Sequence, residues 1–221
     1  MKRVALNLFC LVVFQLLLPA VTPAQPSSSG GGCDPTGKQL SYVTPRKQET
    51  SAWCWVASAQ MVMETQGVKQ EQYFIVDAVR VNILNDTSVR TCCCEAKNTA
   101  SCTRSGLPEW ALDVFGFRYR KIEDDRDFGW SNLSAEICQD RPIIYAETWK
   151  SGGGHSYILR SYRVDPDGNR WVEAYDHDPE LAYSSSQGDF EEWSYETLPL
   201  VREGPDPFNR DAVYYYAGII H

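Results

Sequence analysis

The chain has 221 residues, 43% hydrophobic and 23% charged, enough for one globular domain or for two lobes that share an interface. Its formal net charge of −8 argues against a nucleic-acid backbone or an anionic membrane surface as partner, because both require a basic face.

The first residues have the pattern of a secretory signal. Lys2 and Arg3 give a positive start, and an apolar run from Val4 to Leu18 is broken only by Asn7 and Gln15. Small residues then lead to a cleavage point after Ala24. The run is too short for a comfortable membrane span, and no later stretch is apolar enough to cross a bilayer. Residues 1–24 are therefore expected as a signal peptide, 25–32 (Gln-Pro-Ser-Ser-Ser-Gly-Gly-Gly) as a flexible linker, and 33–221 as the folded domain. The expected setting is secreted or periplasmic, with no membrane contact after signal removal. No internal repeat is visible.

Export changes the meaning of the cysteines. Of eight, Cys10 leaves with the signal. Seven remain in an oxidising compartment, so six can form three disulfides and one thiol is left over. An unpaired thiol in a secreted chain is a candidate reactive group. Counting alone does not say which.

In the domain, Ala, Met and Gln between Thr50 and Gln66 predict a helix, with Thr50 or Ser51 as cap and Gly67 as its end. A second helix is expected from Gln70 to Leu84. The polar stretch Asn85–Ser105 holds four cysteines and is read as a disulfide-pinned loop. Short helices follow at Pro108–Phe115 and Ser131–Gln139. After Arg141 the pattern alternates. Strands are expected at Pro142–Trp149, Ser156–Arg163, Arg170–Tyr175 and Val213–Ile220, with a turn at Asp165–Asn169. Helices first and antiparallel strands later indicate an α+β fold. Two sequons, at Asn85 and Asn132, matter only in a eukaryotic host. The acidic stretch Asp189–Glu192 is expected as a solvated face.

Cys54 falls near the start of the first expected helix. Unsatisfied backbone N–H groups there favour an anion and lower a thiol's pKa, as a cysteine nucleophile requires. Such a nucleophile needs a base. The chain has three histidines, His155, His177 and His221. His155 follows three glycines, which let the backbone approach a neighbouring group closely, and it opens a strand. His177, in an Asp-His-Asp-Pro turn, and His221, the last residue, are expected to be exposed. Asp176 ends the strand after that of His155, so adjacent antiparallel strands can bring the two together and orient the base. Asp178 is its rival, since a two-residue shift keeps the same face. Gln48, six residues before Cys54, can supply an oxyanion donor together with the Cys54 amide.

These residues together resemble the papain-like cysteine peptidases of clan CA. The resemblance lies in Gln48-x5-Cys54-Trp55, in Gly154-His155 before a strand, and in an acidic residue at the end of the next strand. Trp53-Cys54-Trp55-Val56-Ala57 is most similar to the small bacterial branch that includes plant-pathogen effector peptidases. In that branch the strand end is Asp-Pro, whereas here His177 follows Asp176. The plant-type Cys-Gly-Ser-Cys-Trp signature is absent, and the third member is Asp rather than Asn.

The resemblance implies a helical N-terminal lobe whose nucleophile helix packs on a C-terminal antiparallel β-sheet lobe. It also implies a monomer acting on protein or peptide substrates, with no cofactor. It leaves Cys54 free and pairs Cys33, Cys92, Cys93, Cys94, Cys102 and Cys138. A zinc site at Cys92, Cys93, Cys94 and Cys102 is the weaker alternative, since adjacent cysteines chelate one ion poorly. The expected reaction is peptide-bond hydrolysis through a Cys54–His155–Asp176 triad and a thioester, with Trp53 and Trp55 each packing either the cleft or the core. A transglutaminase or deamidase would use the same groups, and an inactive binding protein could keep the same scaffold.

Overall fold

The segment Cys54–Met63 is buried on every side, and a helix without a solvated face must lie at the centre of its domain. The computed structural model describes residues 33–86, 92–95, 97–123, 128–150, 152–177, 190–196, 198 and 210–221. The expected signal and linker, Asp178, Thr87 of the first sequon and Asp189 lie outside the described residues. Residues Cys33–His221 form one compact unit.

In chain order its elements are β1 (Gly37–Gln39), α1 (Cys54–Thr65), α2 (Gln72–Asn82), α3 (Pro108–Val114), β2 (Arg118–Glu123), α4 (Trp130–Cys138), β3 (Ile143–Trp149), β4 (Gly154–Val164), β5 (Arg170–Asp176), β6 (Phe190–Ser194) and β7 (Arg210–Ile220). The central helix α1 packs against α2 and α3 on one side and against β3 and β4 on the other. The strands form one antiparallel sheet in the order β2-β7-β3-β4-β5-β6. The long β4 pairs with β3 through its first half and with β1 through its second. The arrangement is the α+β papain-like one expected, with the helix bearing Cys54 laid on an antiparallel sheet.

Several boundaries differ from those expected. The first helix starts at Cys54 itself, not at Thr50. Its N-cap is Trp53, with no side-chain cap, while Thr50 takes part in the preceding turn by accepting from the Trp53 amide. Gly67 does end the helix, at φ 82°. Strands β1, β2 and β6 were not expected. Each lies at an edge of the sheet, where charged residues such as Arg118, Arg120 and Lys121 replace apolar alternation.

The hairpins β3–β4 and β4–β5 put the chemistry-bearing residues in register. His155 pairs with Glu147 on one side, and Tyr157 pairs with Asp176 on the other. Since His155 and Tyr157 share a face, His155 stands diagonally opposite Asp176. The close approach foreseen for the glycine run occurs at Gly154, where a Cβ would meet the Glu147 carbonyl oxygen at 2.2 Å. Only glycine lets the strand enter there.

Three cysteine pairs lie at disulfide distance: Cys33–Cys138, Cys92–Cys94 and Cys93–Cys102. Among the described residues Cys54 is the free thiol. The four cysteines of the zinc alternative are thus taken up in pairs. Among the described residues no helix is long and apolar enough to cross a membrane.

Candidate active site

Cys54 is the first residue of α1 and 8% exposed. Because Trp53 contributes no side-chain cap, the Cys54 and Trp55 N–H groups keep their capacity to bind an anion beside the thiol. Val56 and Ala57 already bond the Trp53 carbonyl, at 3.0 and 2.9 Å.

His155 is buried on β4, and its Nε2 lies 2.7 Å from Asp176 Oδ1. Cys54 lines the same cleft as His155 and is an electrostatic partner of its ring. With Nε2 taken by the carboxylate, Nδ1 is the nitrogen left to face the thiol. Burial alone would hold the imidazole neutral. The hydrogen bond to Asp176, with the further interaction with Cys54 and the charges of both, outweighs it and raises His155 to about 10. These interactions favour a charged imidazole at His155. The edge of His155 meets the Tyr157 ring at 4.5 Å, which fixes its tilt.

These groups open into a cleft of about 570 Å³. Trp55 and Trp110 form one wall, edge to face at 6.0 Å, and Trp149 belongs to the other. Trp55 thus lines the cleft, whereas Trp53 is fully buried and belongs to the core. Both indoles donate to the cysteine loop, Trp53 Nε1 to the Cys102 carbonyl at 2.8 Å and Trp55 Nε1 to the Arg104 carbonyl at 3.1 Å. The disulfide-pinned segment is thereby latched to the start of the nucleophile helix.

Of the four residues singled out from sequence, Cys54, His155 and Asp176 come together. Gln48 is half-buried near them and is not among the residues lining the cleft. Its Oε1 is buried without a hydrogen-bond partner, and its backbone N–H donates to the His177 carbonyl at 3.2 Å.

His177 corrects the sequence reading. It is not exposed but wholly buried. Its Nδ1 lies 3.0 Å from the Arg46 carbonyl and its Nε2 2.7 Å from Ser58 Oγ. A carbonyl can only accept, so Nδ1 carries the hydrogen and Nε2 accepts from the Ser58 hydroxyl. Burial, and the neighbouring charge of His155, lower His177 to about 3, which keeps it neutral. Sequence offered one partial signal: Ser58 follows Cys54 by one helical turn and so shares its face. His221 is exposed as expected, and its ring meets that of Phe117 at 4.7 Å in a tilted contact.

An α+β fold with a cysteine at the head of its central helix, and a histidine–carboxylate pair on the facing sheet, defines a papain-like cysteine hydrolase. The family model described as "Peptidase_C39 like family" matches residues 40–198, and the chain belongs to that family. It is accordingly a cysteine peptidase, acting on protein or peptide substrates. A solved structure similar to it is the peptidase domain of Streptococcus ComA, a bi-functional ABC transporter of a quorum-sensing pathway. The two are 15% identical, the match covers 78% of this chain and 96% of that one, and the TM-score is 0.43. No curated protein matches the chain.

Proposed function

We propose that the protein is a secreted, monomeric peptidase that uses Cys54, His155 and Asp176 as its triad, with Gln48 and the Cys54 amide stabilising the oxyanion. The observation that carries this reading is the 2.7 Å bond from His155 to Asp176, with the free Cys54 thiol at the head of α1 lining the same cleft as His155. The Cys54 thiolate attacks the carbonyl carbon of the scissile bond. Negative charge develops on the carbonyl oxygen and is met by N–H donors at the helix start. The proton on His155 passes to the leaving amine. Water, deprotonated by the now neutral ring, cleaves the thioester and restores the pair. Asp176 holds the ring in place and stabilises its charged form.

Secretion is supported by the charged and apolar start of the sequence and by the three cysteine pairs. The Trp53-Cys54-Trp55 helix start supports kinship with the small bacterial branch that includes plant-pathogen effector peptidases.

The test is labelling with an epoxide that alkylates papain-like thiolates, alongside casein cleavage, on wild type, Cys54→Ala and His155→Ala. Adduct at Cys54 that requires His155, together with cleavage, is the expected result. Labelling with release of ammonia from glutamine side chains and no cleavage would replace peptidase with deamidase or transglutaminase. Absence of labelling in folded protein would leave an inactive scaffold.

A further inference from the structure

The four-residue segment Arg46–Glu49, which carries Gln48, is gripped at every residue by two side chains and one carbonyl from elsewhere in the fold. His177 Nδ1–H donates to the Arg46 carbonyl at 3.0 Å, and the Gln48 N–H donates to the His177 carbonyl at 3.2 Å. From α2, Gln72 Nε2 donates to the Lys47 carbonyl at 2.7 Å, and its Oε1 accepts from the Glu49 N–H at 3.0 Å. Gln72 is itself 2% exposed and is braced by Gln60 Oε1 at 3.1 Å. Such fully satisfied buried polar groups impose one geometry on what they hold.

The same histidine reaches all three elements of the triad. Its Nε2 accepts from Ser58 at 2.7 Å, and Ser58 Oγ lies 2.9 Å from Ser156 Oγ. Ser58 sits one turn beyond Cys54 on α1, Ser156 directly follows His155 on β4, and His177 directly follows Asp176 at the end of β5. Each triad residue thus has a buried polar companion in a second cluster. That cluster ends on the Arg46–Glu49 segment. The Gln48 side chain has no bond to its buried Oε1, so its placement depends on its backbone.

We propose that His177 is a positioning residue: together with Gln72 it fixes the backbone of Gln48 relative to Cys54, His155 and Asp176, and so sets the position from which the Gln48 amide would reach the oxyanion. This rests on the acyl-transfer reading above. It predicts that His177 acts through Gln48 and not through the thiolate.

The experiment compares wild type, Gln48→Ala, His177→Phe, Gln72→Leu, and the doubles of each of the last two with Gln48→Ala. Three readouts are taken: turnover of a p-nitrophenyl ester, the rate of Cys54 alkylation by iodoacetamide across pH, and thermal unfolding. Ester turnover builds an oxyanion, whereas alkylation is a displacement that does not. Removing one oxyanion donor costs on the order of 10²-fold in kcat, so Gln48→Ala should show a loss of that size. His177→Phe and Gln72→Leu are expected to lower kcat about tenfold or more with KM unchanged. Alkylation and its pH profile should stay as in wild type, and each double variant should be no slower than Gln48→Ala alone. His177→Asn, whose Nδ2–H can replace Nδ1–H toward Arg46, should recover more turnover than His177→Phe.

Multiplicative losses in the doubles would overturn the proposal, as would an alkylation rate that falls in step with kcat. If His177→Phe does not fold, Gln72→Leu decides by the same criteria. Ester turnover by wild type without peptide cleavage would overturn only the peptidase reading and leave the positioning test intact. No ester turnover by wild type would overturn both.

Discussion

Asp176 and His155 set the pH range in which the site can work. Asp176 heads the favourable interactions that carry His155 from its ordinary value near 6.5 up to about 10. A thiolate–imidazolium pair is lost when the ring deprotonates, so activity should fall on the alkaline side as pH rises through that value. Asp176→Ala removes the leading support for the charged ring, and the alkaline limb should move to lower pH. The variant should also lose on the order of 10²-fold in kcat, the lower end of what a positioned acid–base group contributes. Asp176→Asn keeps a carbonyl oxygen that can accept from Nε2–H, and should lose less. A pH–rate profile of kcat for the three proteins checks this; an unmoved alkaline limb in Asp176→Ala would refute it. His177, one position further on, shows the opposite balance. It too is buried, but its partners are a neutral hydroxyl and a carbonyl, so it stays uncharged.

The elements around the cleft are fitted to one another through a few close contacts. Gly106, in the loop entering α3, lies between two indoles. A Cβ there would sit 2.7 Å from Trp55 and 2.9 Å from Trp110. Gly106→Ala should therefore force one wall of the cleft aside, at about 1–3 kcal/mol, as overpacking commonly costs. Because Trp55 follows Cys54 on α1, the same displacement should raise KM for peptides more than it lowers the rate of Cys54 alkylation. Denaturant unfolding and steady-state kinetics of the variant would measure both effects, and unchanged values would show that the wall yields freely. The strands also vary in how openly they announce themselves. Ile143–Trp149 and Gly154–Val164 have the apolar content of central strands, and their registers follow from tight hairpins. Arg118–Glu123 has four charged residues around Tyr119 and Ile122, the composition of an edge strand, and the apolar pair does not keep a two-residue period.

For the molecule as a whole, the Cys33–Cys138 pair closes a loop of sequence separation 105. It ties the start of the domain to the end of α4, where Lys38 Nζ also donates to the Cys138 carbonyl at 2.7 Å. In the chain-entropy account, closing a loop that long stabilises the fold by about 4–5 kcal/mol, and measured losses for native disulfides span about 2–5. The double variant Cys33→Ser with Cys138→Ser should unfold at lower denaturant by that amount, with the Cys54 environment unchanged. An unshifted unfolding midpoint would show that this closure contributes nothing.

The sequence by itself determined the fold class, a cysteine near the head of a helix, and a histidine and an aspartate on neighbouring strands, while the resemblance implied that this cysteine is the free one. These were legible because helix ends, strand alternation and hairpin turns are local, and because adjacent antiparallel strands leave little freedom in which residues can meet. Only the tertiary structure decided that the nucleophile helix has no side-chain cap, that Trp53 is core while Trp55 lines the cleft, and that His177 is buried. Asp176-His177-Asp178-Pro179 has the composition of an exposed turn. Its histidine is buried because α1 and the Arg46–Glu49 segment close over it, and both come from far away in the chain. Burial of that kind is set by what packs on a residue rather than by its neighbours in sequence, and the polar cluster beneath the triad is built from such long-range contacts.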